Sequence, residues 1–273
     1  YDETITRIEM QDWYALKDPR QFYYSTYTLA RARQQETAEA NFSFVETRGL
    51  VDMLPDELRA IALAVLVPLR HAAWGANQHN AFICGYGFGT AFTQPCMYHA
   101  MDNLGIAQYL SRLGLLLGDT DALDAGKRAW LDDAAWQPLR RYVEDCLVVR
   151  DPFELFVAQN LALDGLLYPL VYERIVDAHL SSRGGSAVAM LCQFMNDWFD
   201  ETRKWVDAVL KVAAAESEHN REVLAAWTRD WSGRAASALL PVVELALGPQ
   251  ADAAVAEYVA ALSARIAKAG IPA

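Results

Sequence analysis

The chain has 273 residues, of which 53% are apolar, so it can bury a sizeable core and is not an intrinsically disordered protein. Its formal net charge of −11 argues against nucleic-acid binding, because contacts with phosphates require lysine and arginine. The cysteines Cys84, Cys96, Cys146 and Cys192 form no Cys-x-x-Cys pair, which favours a reducing, cytoplasmic compartment. The longest charge-free apolar run, 60–69, is far below the ~20 residues needed to cross a bilayer, so no membrane segment is predicted.

The first 25 residues are rich in aromatic side chains but lack the regular spacing of an amphipathic helix. We therefore predict an irregular aromatic arm over residues 1–25 that packs as an extension on partner subunits. A single helical domain is predicted over residues 26–273.

The first helices are delimited by glycine and proline. A helix is predicted over 29–48 and ends at Gly49, while Pro55, followed by two acidic residues, begins the next helix. That second helix is expected to run to about Phe82 with a kink at Pro68. The glycine-rich stretch 85–89 (GYGFG) lacks the Lys-Ser/Thr pair of a phosphate-binding loop and is interpreted as a helix break or a close backbone contact.

The rest of the chain also has a helical pattern, with neither β–α alternation nor an internal repeat. Helices are predicted over 96–117, 122–149 with an interruption near Pro138, 153–180 with a kink at Pro169, 187–215 and 251–269. Turns or breaks are predicted at 119–121, at 181–186, and at Gly233, Pro241 and Gly248-Pro249. This pattern predicts an all-α protein with long core helices.

The segment 153–180 is apolar on nearly every face of its first half, which predicts a helix buried on all sides. Asn160 and Asp164 are four positions apart and therefore share one helix face. We interpret them as a satisfied buried polar pair, although helical bundles also build metal sites from such residues.

The stretch Asp200-Glu201-Thr202-Arg203-Lys204 is similar to the Asp-Glu-x-Arg-His motif of carboxylate-bridged di-iron bundles, with Lys204 in place of the histidine. In such bundles, Glu-x-x-His presents both ligands on one helix face. A charged lysine has no acceptor atom and cannot bind iron. We expect a structural contact between Glu201 and Lys204 instead.

A two-iron site would require a second motif of this kind and two further carboxylates. No glutamate stands three positions before His71, His79, His99 or His179. Glu216-x-x-His219 matches the motif but lies in a charged stretch that is typical of a solvated face. The remaining polar candidates on earlier helices are Glu36, Glu39, Glu46, Asn77 and Asn80, and asparagine is a poor iron ligand. The sequence therefore predicts no catalytic, cofactor-binding or metal-binding residue in this chain.

Five sequence blocks resemble the β subunit of the hydroxylase component of bacterial multicomponent phenol hydroxylases, which are relatives of toluene and methane monooxygenases. The blocks are 10–24 (MQDWYALKDPRQFYY), 105–112 (GIAQYLSR), 127–132 (KRAWLD), 135–141 (AWQPLRR) and 153–161 (FELFVAQNL). The resemblance implies a ferritin-like helical bundle with extra peripheral helices and a dimer of αβγ protomers.

In that family the α subunit holds the di-iron centre and the substrate pocket, and the β subunit is a diverged copy that forms the dimer core. A regulatory protein and an NADH-dependent reductase complete the system. The resemblance thus implies a cytoplasmic, non-catalytic subunit of an oxidoreductase that hydroxylates aromatics with O₂, with α, γ and a second β subunit as partners.

Several alternatives remain open at this point. A toluene- or alkane-type relative would share the same blocks, and a stand-alone helical adaptor would fit the composition. An α-helical isoprenoid synthase requires Asp-Asp-x-x-Asp, whereas the nearest stretch, 132–136, ends in tryptophan. A stand-alone ferritin-like oxidase would need the missing ligands. Iron analysis distinguishes an oxidase from the others, and co-purifying subunits distinguish the hydroxylase component from an adaptor.

Overall fold

The computed structural model describes residues 2–272, with only the backbone at Glu3. This part of the chain contains no β-strand, which confirms the all-α prediction. Its main helices are α1 Tyr24–Thr47, α2 Asp56–Leu66, α3 Leu69–Tyr86, α4 Thr90–Asp132, α5 Gln137–Cys146, α6 Pro152–Arg183, α7 Ser186–Glu216, α8 Glu218–Leu247 and α9 Ala251–Lys268.

The helix boundaries follow the predicted signals closely in the first third of the chain. Gly49, with φ of +60°, follows the last residue of α1 and its cap, and Pro55 directly precedes α2. The chain turns around Pro68 between α2 and α3, where a kink was predicted. Helix α3 continues to Tyr86, beyond the predicted end at Phe82.

The glycine-rich stretch separates α3 from α4, so the predicted helix break is confirmed. Gly89 has φ of +82°, which disfavours other residues, and a Cβ there would lie 2.8 Å from Cβ of Trp13. The break therefore also makes room for the N-terminal arm.

Two of the later boundary predictions need correction. Helix α4 runs through the region of the predicted turn but bends at Gly118 and Asp119, which have non-helical backbone angles. Helix α8 continues through Gly233 and Pro241, so the breaks predicted there are wrong. Pro241 has no backbone N–H and therefore removes one helical hydrogen bond. Burial of neighbouring residues such as Leu239 and Val242 stabilises the helix by more than this loss.

Helix α6 lies at the centre of the fold, and every residue from 155 to 172 is buried, as predicted. It is not simply kinked at Pro169. Two stretches, Val157–Leu163 and Pro169–Leu180, have π-helical hydrogen bonding, which joins residues five apart instead of four.

Three helical segments are long and apolar enough to span a membrane by length and composition alone: Asp56–Tyr86, Pro152–Arg183 and Glu218–Lys268. Each of these segments contains charged residues. A search of the sequence for long runs without charge therefore did not detect them. The most apolar window of Pro152–Arg183 is 100% buried inside the protein, so its hydropathy is explained by its central position in the core.

Candidate functional site

The interior of the bundle contains buried polar side chains at the level where α3, α4, α6 and α7 meet. They are His79 and Asn80 on α3, His99, Asp102 and Asn103 on α4, Gln159, Asn160 and Asp164 on α6, and Thr202 on α7. Buried polar groups require hydrogen-bond partners, so each of these side chains is expected to have one inside the protein.

Four of these side chains form one continuous chain of hydrogen bonds, which we call the interior network: His79, Gln159, Asp164 and His99. Nδ1 of His79 lies 2.7 Å from Oε1 of Gln159, and Nε2 of Gln159 donates to Oδ1 of Asp164 (2.8 Å). The second oxygen of Asp164 lies 3.0 Å from Nε2 of His99. The other ring nitrogen of His79 lies 3.0 Å from the carbonyl oxygen of Val143.

The hydrogen bonds of His79 depend on which of its ring nitrogens carries the hydrogen. Both ring nitrogens of His79 face oxygen atoms, so a neutral ring would leave one lone pair against an oxygen. Burial lowers the pKa of His79, opposed by its hydrogen bonds with Gln159 and Val143 and by the charge of Asp164. With the amide of Gln159 oriented to donate to Asp164, the tautomer of His79 that carries its hydrogen on Nδ1 donates to Gln159, and Nε2 then faces the carbonyl oxygen of Val143.

The neighbouring asparagines are satisfied separately from this network. Asn80 and Asn160 donate to each other's side-chain oxygens at 2.9 and 2.8 Å, and Asn80 also donates to the carbonyl oxygen of Ala76. Asn103 donates to the carbonyl oxygen of His99. The burial predicted for Asn160 and Asp164 is therefore correct, but each has a different partner and they are not bonded to one another.

His99 retains a buried ring nitrogen, Nδ1, that has no hydrogen-bond partner within residues 2–272. Its ring lies between the indoles of Trp198 and Trp205, with ring centroids 4.9 and 5.6 Å away. One imidazole nitrogen cannot hold a metal ion by itself, because a bundle di-iron site uses about four carboxylates and two imidazoles. Residues 2–272 contain no group of three or more His, Cys, Asp or Glu arranged to hold a metal. These residues therefore do not fit a di-iron centre.

A second polar cluster, which we call the Asp102 cluster, lies between α4, α7 and α1. Asp102 accepts two hydrogen bonds from Arg31 (both 2.7 Å), one from Tyr27 (2.8 Å) and one from the indole of Trp198 (2.8 Å). Burial and the charge of Asp102 raise the pKa of Tyr27, so its hydroxyl remains protonated. Arg31 also pairs with Glu201 (3.0 Å), which connects α1 to α7.

This arrangement corrects the prediction for Lys204. Glu201 pairs with Arg31 and Arg20 and not with Lys204, whose side chain is exposed to solvent. The residues of α7 that face the interior at this level are Trp198, Thr202 and Trp205. Lys204 therefore does not occupy the position of a lost ligand, and the local similarity to Asp-Glu-x-Arg-His does not extend to three dimensions.

The other candidates from earlier helices also lie away from the interior. Glu36, Glu39 and Glu46 are exposed on α1, and the latter two pair with Arg112. Asn77 is half-buried and donates to the carbonyl oxygen of Ala100. Of the predicted set, Asn80, Asn160 and Asp164 alone reach the bundle interior.

Glu216 and His219 bind the arm. Glu216 accepts from the backbone N–H of Gln11 (2.7 Å), and His219 lies 3.0 Å from the carbonyl oxygen of Arg7. Asn220 accepts a hydrogen bond from the backbone N–H of Glu9 and donates one to the carbonyl oxygen of Glu9.

Asp151 adds a fourth contact by accepting from the N–H of Arg7 (2.7 Å). We call Asp151, Glu216, His219 and Asn220 the arm clamp. The motif interpreted as a solvated face therefore has a structural role.

The arm itself is packed onto its own chain, with Ile8, Trp13 and Leu16 buried. Other aromatic side chains point outward: Tyr14, Tyr23 and Tyr24 are 60%, 59% and 68% exposed. The arm is thus a packed extension with an exposed aromatic face.

Sequence reasoning missed His79, His99 and Asp102, because none of them belongs to a Glu-x-x-His motif. A weak signal was present in His99, Asp102 and Asn103, whose spacing of three and four places all three on one face of α4. Their partners on other helices could not be identified from spacing alone.

Comparison with known proteins places this geometry in a family. The sequence profile of the methane/phenol/alkene hydroxylase family matches residues 1–217. The chain is 52% identical, over 99% of its length and 81% of the relative, to the DmpL oxygenase component of phenol 2-monooxygenase from Pseudomonas sp. strain CF600. It is 47% identical to the MhpL component from Acinetobacter pittii strain PHEA-2, over 90% of this chain and 74% of that protein.

Two solved structures are similar to the chain over nearly its full length. Phenol hydroxylase from Pseudomonas sp. OX1 matches with a TM-score of 0.94 and 46% identity, covering 100% of this chain and 82% of the other. Toluene 4-monooxygenase matches with a TM-score of 0.78 at 20% identity, covering 93% and 80%, which shows a shared fold.

Proposed function

Because the chain belongs to the methane/phenol/alkene hydroxylase family, we propose that it is the structural β subunit of the hydroxylase component of a phenol-type monooxygenase. The observation that carries this proposal is the interior network. It occupies the bundle centre with residues that bind each other, where a catalytic bundle would carry carboxylate and imidazole ligands.

The finer parts of the proposal follow from the family. The expected assembly is a dimer of αβγ protomers in which the partner α subunit holds the di-iron centre and the aromatic substrate. The regulatory protein and NADH-dependent reductase act on that complex, and the chain itself binds no cofactor, metal, nucleic acid or membrane. All cysteines are free thiols, which is consistent with a cytoplasmic location.

A phenol substrate is favoured over toluene or an alkane by the relatives. The two that are about half identical carry the name phenol 2-monooxygenase, whereas the toluene-4-monooxygenase β subunit of Ectopseudomonas mendocina is 21% identical over 86% of this chain. We propose that the exposed aromatic face of the arm packs on partner subunits, since aromatic side chains are enriched at interfaces.

The proposal is tested by purifying the chain from its natural host and identifying the chains bound to it. We expect hydroxylase α and γ subunits, iron in the complex, and no stoichiometric iron in the isolated chain. Deleting residues 1–24 should weaken assembly, as measured by sedimentation. Two irons per isolated chain, or a chain that purifies without hydroxylase subunits, would refute the assignment.

A further inference from the structure

A surface groove of about 640 Å³ between α6, α7 and α9 contains an unusual concentration of lysine. The chain has only five lysines: Lys17, Lys127, Lys204, Lys211 and Lys268. Three of them, Lys204, Lys211 and Lys268, line this groove. This concentration occurs on a protein whose formal net charge is −11.

Among the residues that line the groove, positive charges outnumber negative ones. Five cationic side chains line it against two carboxylates, those of Glu173 and Asp207. Asp207 pairs with Arg265 at 2.6 Å, while the lining residue Arg203 pairs with Asp200 outside the groove. Within residues 2–272 none of the three lysines forms an ion pair, and all three are exposed.

The spacing of these charges fits an extended ligand better than a single small anion. Lys204 and Lys211 are seven residues apart on α7 and therefore about 10 Å apart along the helix axis. Lys268 lies on the facing helix, α9. The groove is also lined by less buried apolar side chains, among them Ala208, Tyr258 and Ala261.

We propose that this groove is a docking site for an acidic, amphipathic polypeptide segment of another subunit of the hydroxylase. Its carboxylates pair with the three lysines, and its apolar side chains pack between α7 and α9. This inference rests on the proposed function for the identity of the partner, whereas the chemistry of the groove does not depend on it. Charge complementarity of this kind directs specific association.

The first experiment locates the partner in the purified hydroxylase. A carbodiimide forms an amide between a lysine amine and a carboxylate in direct contact, and mass spectrometry identifies the pair. We expect Lys204, Lys211 and Lys268 to be joined to Asp or Glu of another subunit. Cross-links confined to carboxylates of this same polypeptide, in one copy or between two copies, would overturn the proposal.

The second experiment does not depend on the assembly. A labelled peptide with Glu and Leu at helical spacing is titrated into the isolated chain at low salt, with fluorescence anisotropy as the readout. The double variant Lys204→Glu/Lys211→Glu should weaken binding about tenfold or more. The matched control, Lys17→Glu/Lys127→Glu, makes the same charge change at two exposed lysines outside the groove and should leave binding unaltered.

The outcomes of this titration separate the alternatives. Equal binding to wild type and to the groove variant overturns the proposal, whether or not the chain assembles with hydroxylase subunits. Inorganic phosphate that displaces the peptide, when sodium chloride of equal ionic strength does not, identifies a small-anion site and also overturns it. Failure of assembly with normal peptide binding would refute the proposed function while supporting the acidic ligand.

Discussion

The interior network and the arm clamp use the same kinds of side chain for different purposes. In the interior network, two imidazoles, an amide and a carboxylate bind one another inside a core from which solvent is excluded. In the arm clamp, Asp151 and three side chains at the junction of α7 and α8 bind the backbone of a distant segment, and His219 is exposed. When a group in the interior loses its hydrogen-bond partner, no water molecule can take the partner's place. Most groups of the arm clamp are accessible to water, which can replace a lost partner.

This difference predicts that disruption of the interior network has the largest effect. Asp164→Ala leaves Nε2 of His99 and the amide of Gln159 without a partner, so we expect a loss of about 3–5 kcal/mol in the free energy of unfolding. Asp164→Asn should cost less than Asp164→Ala, because the asparagine oxygen still accepts one of these hydrogen bonds. Denaturant unfolding of the purified chain measures both.

The matched asparagine variant tests whether the hydrogen bonds of residue 164 stabilise the fold. If Asp164→Asn were as destabilising as Asp164→Ala, the accepting oxygen retained by asparagine would not contribute to the stability of the interior network.

In the arm clamp, the largest effect is expected at Asn220, which is fully buried. Asn220→Ala removes the contacts with both backbone groups of Glu9 and a bond to the carbonyl oxygen of Ala213, so we expect a loss of about 1–3 kcal/mol. Glu216→Ala, at the edge of the clamp, should cost under about 1 kcal/mol. Limited proteolysis should cut the arm faster in the first variant, and equal rates would argue against the clamp.

Acidification should reduce the stability contributed by the interior network, by less than the substitutions above. Burial lowers the pKa of His79, so the unfolded chain binds its proton at a higher pH than the folded chain does. The resulting stability is fully present above about pH 6.5, the ordinary pKa of histidine, and it decreases below that pH by at most about 1.4 kcal/mol per pH unit. The difference in unfolding free energy between wild type and His79→Gln, measured from pH 8 to 5, should therefore shrink. A difference that grows on acidification would contradict a neutral His79.

The smallest effect is expected at Lys204. Because its side chain is exposed and does not contact Glu201, Lys204→His should alter stability by under about 0.5 kcal/mol. No iron should bind, since the new imidazole would lie in the surface groove, away from the interior network. Elemental analysis and thermal unfolding measure these two effects, with Lys127→His as the control. Stoichiometric iron in the Lys204→His variant would indicate that Lys204 does occupy the position of a lost iron ligand.

The sequence was a good guide to the helices and a poor guide to the contacts between them. Local signals such as Gly49 and Pro55 mark real boundaries because capping depends on neighbouring residues. Pro241 was misleading because burial in α8 outweighs a local preference. The position of Lys204 could have been inferred, since Trp198, Thr202, Trp205 and Val209 form a buried stripe from which it is excluded.

Other contacts could not be predicted at all. The bond between Gln159 and Asp164 joins residues five apart, which lie on different faces of an α-helix and come together because α6 is π-helical there. The arm clamp joins residues 144 to 212 positions apart, and nothing in the local sequence of Glu216 or His219 indicates the partner.

That separation has a consequence for biosynthesis. Glu9 and Asn220 are 211 positions apart, so the arm emerges from the ribosome long before its binding residues exist. At about 5–20 residues per second the interval is roughly 10–40 s. Trp13 meets its partner Phe88 early, whereas the backbone of residues 7–11 waits for the clamp residues of α7 and α8. Docking of residues 7–11 is therefore one of the last steps in the maturation of the chain, and a nascent chain halted before Asn220 would leave them accessible to chaperones and proteases.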